Sequence, residues 1–244
     1  MSTNLLEVDG VSRSFGRVRA VRDASFAVAE NSVTALIGPN GSGKTTLFNV
    51  ITGYLGADSG TVRFAGSDVT GQHPSALYRQ GLSRTFQQAR VFSHLTVQEN
   101  LVVASGFRFR HLFGRRVSRA DAVRAGELLE EFRLGPVADL YASELSYGQR
   151  KLLEFAAVLM SSPRLVMLDE PTAGVNPVLV ETKERHIRDL DAAGITFLIV
   201  EHDMSFVMRL CDPVVVLDQG HPIFTGAPAD VQRNPLVLDA YLGA

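Results

Sequence analysis

Gly38-Pro39-Asn40-Gly41-Ser42-Gly43-Lys44-Thr45 combines glycines, one lysine and one hydroxyl at the spacing G-x-x-x-x-G-K-[ST]. Glycines let main-chain N–H groups wrap a phosphate, and a helix beginning near Gly43 would add the positive end of its dipole. The spacing lets Lys44 reach β- and γ-phosphates, Thr45 offer its hydroxyl to Mg²⁺, and Thr46 bond a neighbouring phosphate oxygen. Pro39, Asn40, Gly41, Ser42 and Gly43 complete the loop as candidate nucleotide-binding residues.

A second set of candidates follows apolar runs. Leu165-Val166-Met167-Leu168 is closed by Asp169 and Glu170, and two carboxylates at the end of a buried strand are costly without a cation or proton partner. Asp169 suits a Mg²⁺ ligand, directly or through water, and Glu170 suits polarising a water for attack on a γ-phosphate. His202 follows the run Ile195–Val200. Ligands of open α/β sheets gather at the carboxyl ends of strands, where Gly38, Asp169 and His202 all fall. A histidine there can contact the γ-phosphate and orient Glu170 or the water.

Leu145-Ser146-Tyr147-Gly148-Gln149, about twenty residues before the acidic pair, resembles the signature of ABC ATPases, usually written LSGGQ. The order of motifs resembles that family over nearly the whole chain. The resemblance implies that Gln87, in Arg84-Thr85-Phe86-Gln87, is the catalytic and Mg²⁺-contacting glutamine, and that Phe15 stacks on adenine. It implies further that Ser146, Tyr147, Gly148 and Gln149 close on ATP held by a second subunit, and that Ala173-Gly174-Val175-Asn176 occupies the D-loop position. Ser146 and Gly148 precede a helix running to Met160, which suits an anion at a helix N-terminus.

Tyr147 departs from the family's general Gly, and Asn176 from its Asp. Both are similar to the ATPases of branched-chain amino-acid (Liv-type) importers, with urea and amide importers close by. So are Thr96-Val97-Gln98-Glu99-Asn100, Glu201-His202-Asp203-Met204 and Tyr241-Leu242-Gly243. The implied cofactors are ATP and Mg²⁺. The implied partners are transmembrane permease subunits, a second ATPase subunit, identical or different, and indirectly a substrate-binding protein. Nucleic acid is not among them. The implied place is the cytoplasmic face of the cell membrane, as a peripheral subunit. Two rival readings are the ATPase of a lipid-polymer exporter, which usually carries Gly-Gly in the signature, and a non-transport ABC protein. A small-molecule P-loop kinase is excluded by the signature and His202.

The elements that must position these residues follow from periodicity. Leu5–Phe15, Ala24–Val33 and Thr61–Phe64 read as antiparallel β structure. Val33–Ile37, Leu165–Leu168 and Ile195–Val200 read as buried parallel strands, with helices at Gly43–Thr52 and Pro177–Ala192 between them. Ala120–Arg133 and Gly148–Met160 read as helices, and Pro213–Thr225 as strand, turn and strand. The expected fold is α/β: a P-loop NTPase (RecA-like) core with a parallel sheet, an N-terminal antiparallel β subdomain and an inserted α-helical signature subdomain. The expected division of the single 1–244 domain is a core at 1–87 and 162–244, with the helical subdomain at 88–161.

Composition sets the remaining bounds. The 244 residues, 45% hydrophobic, suffice for one sizeable core. A net charge of −2 creates no global field for nucleic acid or anionic lipid. The single cysteine, Cys211, excludes an internal disulfide, which suits a reducing cytosol. No apolar run approaches the roughly 20 residues of a membrane span, so the expectation is a soluble chain whose membrane role needs a partner. Arg108, Arg110, Arg115, Arg116, Arg119 and Arg124, interleaved with Phe107, Phe109 and Phe113, read either as a solvated face or as a contact with headgroups or a permease.

Overall fold

Four apolar strands run along the centre of the molecule, and their alternation decides what lies on each side. In β3 (Val33–Ile37), β7 (Leu165–Asp169), β8 (Thr196–Val200) and β9 (Val214–Asp218), successive side chains point to opposite faces. Ala35, Ile37, Val166, Leu168, Phe197, Ile199, Val214 and Val216 enter one buried cluster. Leu36, Leu165, Met167, Leu198, Val200, Val215 and Leu217 enter the other. Both faces are therefore covered, as a parallel sheet requires.

The sheet is six-stranded, completed by β6 (Leu82–Arg84) and β10 (His221–Gly226), in the order β10-β9-β3-β8-β7-β6. The pairs β3/β8, β3/β9, β7/β8 and β6/β7 are parallel, and β10 is antiparallel to β9. A separate antiparallel sheet has the order β2-β1-β4-β5, formed by β1 (Asn4–Phe15), β2 (Val18–Ala29), β4 (Ser59–Phe64) and β5 (Ser67–Asp68). It packs with α1 (Lys44–Ile51) over one face of the large sheet, where Leu6, Val8, Phe48 and Phe64 share a cluster with Leu36 and Met167.

The other face carries α3 (Val97–Ala104), α4 (Arg119–Glu131), α5 (Tyr147–Leu159), α6 (Pro177–Ala192) and α7 (Met204–Leu210). Leu101, Leu128, Leu153 and Ile187 from four of these helices share that cluster. Smaller helices are α2 (Pro74–Gln80), α8 (Pro228–Val231) and α9 (Pro235–Leu242). The computed structural model describes residues 3–86, 89–105 and 118–242. Among the described residues, the stretch from 89 to 161 contains helices and turns but no named strand, as the sequence pattern anticipates.

Two readings need adjustment. The strand expected over Ala24–Val33 is divided: β2 stops at Ala29, Asn31 turns with φ 56°, and Val33 opens β3 in the other sheet. Asparagine tolerates that left-handed conformation, and Thr196 Oγ1 accepts its N–H at 3.0 Å. The second adjustment is β6, which was not anticipated. Three residues after Gly81 are too few for a periodic signal, yet they place Arg84 and Thr85 beside the end of β7.

Candidate active site

The sheet order brings the chemistry together. β3 lies directly beside β8, and β8 beside β7, so their carboxyl ends deliver Gly38, Glu201-His202 and Asp169-Glu170 side by side. Neighbouring strands lie about 4.8 Å apart.

After β3, the chain reverses tightly against β9 and β2. A Cβ on Gly38 (φ +151°) would stand 2.0 Å from Leu217 O, and one on Gly43 (φ +101°) 2.2 Å from Ala20 O. Glycine is therefore demanded by both conformation and space. Ser42 O accepts the Gly220 N–H at 2.8 Å, tying the loop to the β9–β10 turn. Gly43 is the N-cap of α1 and provides no side-chain cap, so no side chain of the cap covers the first-turn N–H groups. Pro39, Asn40, Gly41 and Ser42 line a cavity that they share with Asp218, Gln219 and Ile223. Lys44 Nζ folds back over it, donating to Gly38 O at 2.7 Å and Pro39 O at 2.9 Å. Partial burial lowers the Lys44 pKa, against the opposing attraction of Glu170. Thr45 is exposed at the start of α1 and Thr46 is half-buried.

Asp169 is the last residue of β7. Its buried carboxylate accepts from Arg84 Nη2 at 2.9 Å, and its N–H donates to Thr85 Oγ1 at 3.3 Å. Burial raises the Asp169 pKa, and the Arg84 charge opposes that rise. Arg84 also donates to Asn49 Oδ1 at 2.7 Å and Thr52 Oγ1 at 2.9 Å, reaching α1. Glu170 takes φ +48°, a conformation uncommon for any residue with a Cβ. Its N–H donates to Val200 O at 2.9 Å, which holds the turn to β8. His202 Nδ1 stands 3.9 Å from Glu170 Oε1, with most of the imidazole exposed.

The residue before His202 has a role that its place in the sequence does not show. Glu201 is fully buried and accepts four bonds: from Thr172 N (2.8 Å), Thr172 Oγ1 (2.5 Å), His202 N (2.8 Å) and Asp203 N (3.0 Å). It fastens the turn after Glu170 to the turn bearing His202. Glu201→Ala should leave these donors without their acceptor and cost at least about 3 kcal/mol. Urea unfolding checks this, and a loss under about 1 kcal/mol would show that water replaces the carboxylate.

At the signature, Ser146 is the N-cap of α5. Its Oγ accepts from Gln149 N at 3.3 Å, and Gln149 Oε1 accepts from Ser146 N at 2.9 Å, forming a reciprocal capping box. The exposed Tyr147 ring lies 3.4 Å from where a Cβ on Gly174 would sit, and a Cβ on Gly148 would meet Leu179 at 2.9 Å. The signature thus packs on the 173–179 segment of its own chain. Asn176 is the N-cap of α6, its Oδ1 accepting from Leu179 N at 2.9 Å. The two departures from the general family pattern therefore both have local partners.

Phe15 ends β1, half exposed, with the Arg13 guanidinium 5.2 Å from its ring centroid. The structure brings Gly38-to-Lys44, Asp169, Glu170 and His202 to the carboxyl ends of β3, β7 and β8, while Phe15 closes β1 in the other sheet and Ser146 caps α5. Gln87 lies outside the described residues, as do Arg108, Arg110, Arg115, Arg116 and the three phenylalanines among them. Arg119 opens α4, and Arg124 pairs with Glu127 at 3.1 Å.

A parallel sheet with a phosphate loop, an acidic pair and a histidine at adjacent strand ends defines a P-loop ATPase of the ATP-binding-cassette class. The family model "ABC transporter" matches residues 21–173, and "Branched-chain amino acid ATP-binding cassette transporter" matches 221–244. The high-affinity branched-chain amino acid transport ATP-binding protein BraF of Pseudomonas aeruginosa is 40% identical, covering 100% of this chain and 99% of that protein. LivG of Escherichia coli (strain K12), with the same description, is 38% identical over 100% and 99%. Among solved structures, a nucleotide-free ATP-binding cassette from an ABC transporter superposes with TM-score 0.88 at 36% identity, covering 99% of this chain and 100% of that one. The ADP conformation of an ATP-binding cassette superposes with TM-score 0.89 at 36% identity, covering 100% of both chains. The chain belongs to the ABC transporter family of ATP-binding proteins.

Proposed function

We propose that this chain is the ATP-hydrolysing subunit of an importer for branched-chain amino acids or related small polar solutes. It works at the cytoplasmic face of the membrane with permease subunits and a second ATPase subunit, identical or different, and a substrate-binding protein delivers the solute. The observation that carries the reading is the convergence of Lys44, Asp169, Glu170 and His202 at the ends of β3, β7 and β8, in a chain similar over its full length to BraF and LivG. Among the described residues no helix is long and apolar enough to cross a membrane.

In this reading the main-chain N–H groups of 39–45 and the Lys44 ammonium bind the phosphates, and Phe15 receives the adenine. Glu170 accepts a proton from the attacking water, and His202 holds Glu170 in place. Ser146 to Gln149 meet the nucleotide of the second subunit. The 1–87, 88–161 and 162–244 segments then act as core, signature-bearing arm and core. The donors near the phosphates suit Mg²⁺. They are hard oxygens, the Thr45 hydroxyl and the Asp169 carboxylate. Such a site matches an ion that keeps waters and shares substrate phosphates. Thr45 and Asp169, with Gln87, would hold it, and it would neutralise charge on the transferring phosphoryl group.

Uptake of radiolabelled leucine, isoleucine and valine tests the proposal. Cells lacking this chain should lose ATP-dependent uptake, and wild-type chain should restore it where Lys44→Ala does not. Unchanged uptake in the deletion strain would overturn the solute assignment.

A further inference from the structure

Helix α5 carries two charges on its buried face, one turn apart. Lys151 is 4% exposed and Glu154 5%, among Leu153, Phe155, Ala156 and Leu159. Burying such charges is expensive, and a well-packed apolar pair commonly serves stability as well or better. Their partners indicate another use. Glu154 Oε1 accepts from Phe86 N at 3.1 Å and from Arg90 N at 3.2 Å. Two main-chain donors four positions apart converge on one oxygen. Lys151 Nζ donates to Phe86 O at 3.1 Å and stands 3.9 Å from Glu154 Oε2. Burial raises the Glu154 pKa and lowers that of Lys151, and each charge opposes the other's shift.

The same stretch is tied on its other side. Two guanidinium groups lie against the Phe86 ring, Arg90 at 3.8 Å and Arg84 at 4.8 Å from its centroid. Arg84 is the residue that pairs with Asp169. A continuous set of contacts therefore runs from α5 through Phe86 and Arg84 to the Asp169 carboxylate. The N-terminal end of α5 is the signature, and Glu154 lies eight positions beyond Ser146, about 12 Å along a rigid helix.

We propose that Glu154 is a positioning residue that ties Phe86 and Arg90 to α5, so that displacement of α5 at its signature end shifts Arg84 and Asp169 at the chain's own ATP site. The proposal deepens the functional reading above and rests on it only for where the effect is felt. Ser146 meets the second subunit's nucleotide, and the tie conveys that event to the phosphate end of this subunit.

The test compares wild type, Glu154→Gln and the double variant Lys151→Met/Glu154→Leu, on the chain with its partner ATPase. Three quantities are read: thermal unfolding, amide hydrogen exchange across residues 85–91, and steady-state ATP hydrolysis resolved into kcat and KM. The double variant should remain folded, because an apolar pair replaces the ionic one. Its exchange at Phe86 and Arg90 should rise about tenfold or more. Its kcat should fall about 10- to 100-fold, with KM for ATP changed less than about threefold. Glu154→Gln keeps an acceptor oxygen and should recover most of both. Loss of protection with normal kcat would overturn the positioning role, and unchanged protection would overturn the tie itself. A double variant that fails to fold would also overturn the proposal, because the charged pair would then serve the fold. Absence of ATP hydrolysis in the wild type would instead count against the functional reading, while the exchange data would still decide the tie.

Discussion

Glu170→Gln should lower the rate of ATP hydrolysis by about 10²- to 10⁴-fold, the range associated with losing a positioned general base. The substitution keeps the shape of the side chain and leaves the φ +48° turn with its Val200 bond in place. It removes negative charge near Lys44, whose ammonium feels the Glu170 carboxylate. ATP should consequently bind at least as well as in the wild type. If hydrolysis is what reopens a two-subunit sandwich, the variant should accumulate as a dimer with ATP and Mg²⁺, measured by size-exclusion chromatography on the chain with its partner ATPase. Adding Ser146→Arg should abolish that accumulation, since a bulky cation at the N-cap of α5 would collide with the second subunit's nucleotide. No ATP-dependent association in Glu170→Gln, or indifference to Ser146→Arg, would reject the cross-subunit mechanism.

Lys44→Ala should reduce ATP affinity about 10- to 100-fold, the worth of one charge-assisted contact to phosphate, and bring hydrolysis below detection. The fold should survive. Lys44 contributes bonds to Gly38 O and Pro39 O, but the loop is also held by Gly220 N to Ser42 O and by Leu47 N to Gly43 O. Nucleotide titration, ATPase assay and thermal unfolding on one preparation separate these outcomes. Turnover near the wild-type rate would remove the phosphate-loop assignment.

These two substitutions fall on residues legible from sequence, because their chemistry depends on covalent neighbours. A glycine-rich loop after a strand and before a helix keeps its N–H groups and its lysine within a few residues of one another. The covalent spacing from Gly38 to Thr45 therefore fixes most of the geometry. The same holds for Ser146 at the start of α5, where a capping box is a three-residue relation. Alternation likewise sends Leu36 to one side of the sheet and Ile37 to the other.

What tertiary structure alone decided is which distant residues meet. Asp169 is 85 positions from Arg84, and β6, the short strand that delivers Arg84, leaves no periodic trace in the sequence. Glu154 reaches Phe86 across 68 positions, and Glu201 reaches Thr172 across 29. Read along the chain, Lys151, Glu154 and Glu201 are charges in or beside apolar runs, where the pattern cannot say what would satisfy them. Only the strand order β3-β8-β7-β6 supplies the answer. It sets the turns after Asp169 and Val200 side by side and brings His202 within 3.9 Å of Glu170. Local spacing thus picks out the candidate groups for the chemistry, while long-range packing determined the buried carboxylates and cations that hold them. Those contacts arise from strand adjacency and helix docking, which no sequence interval encodes.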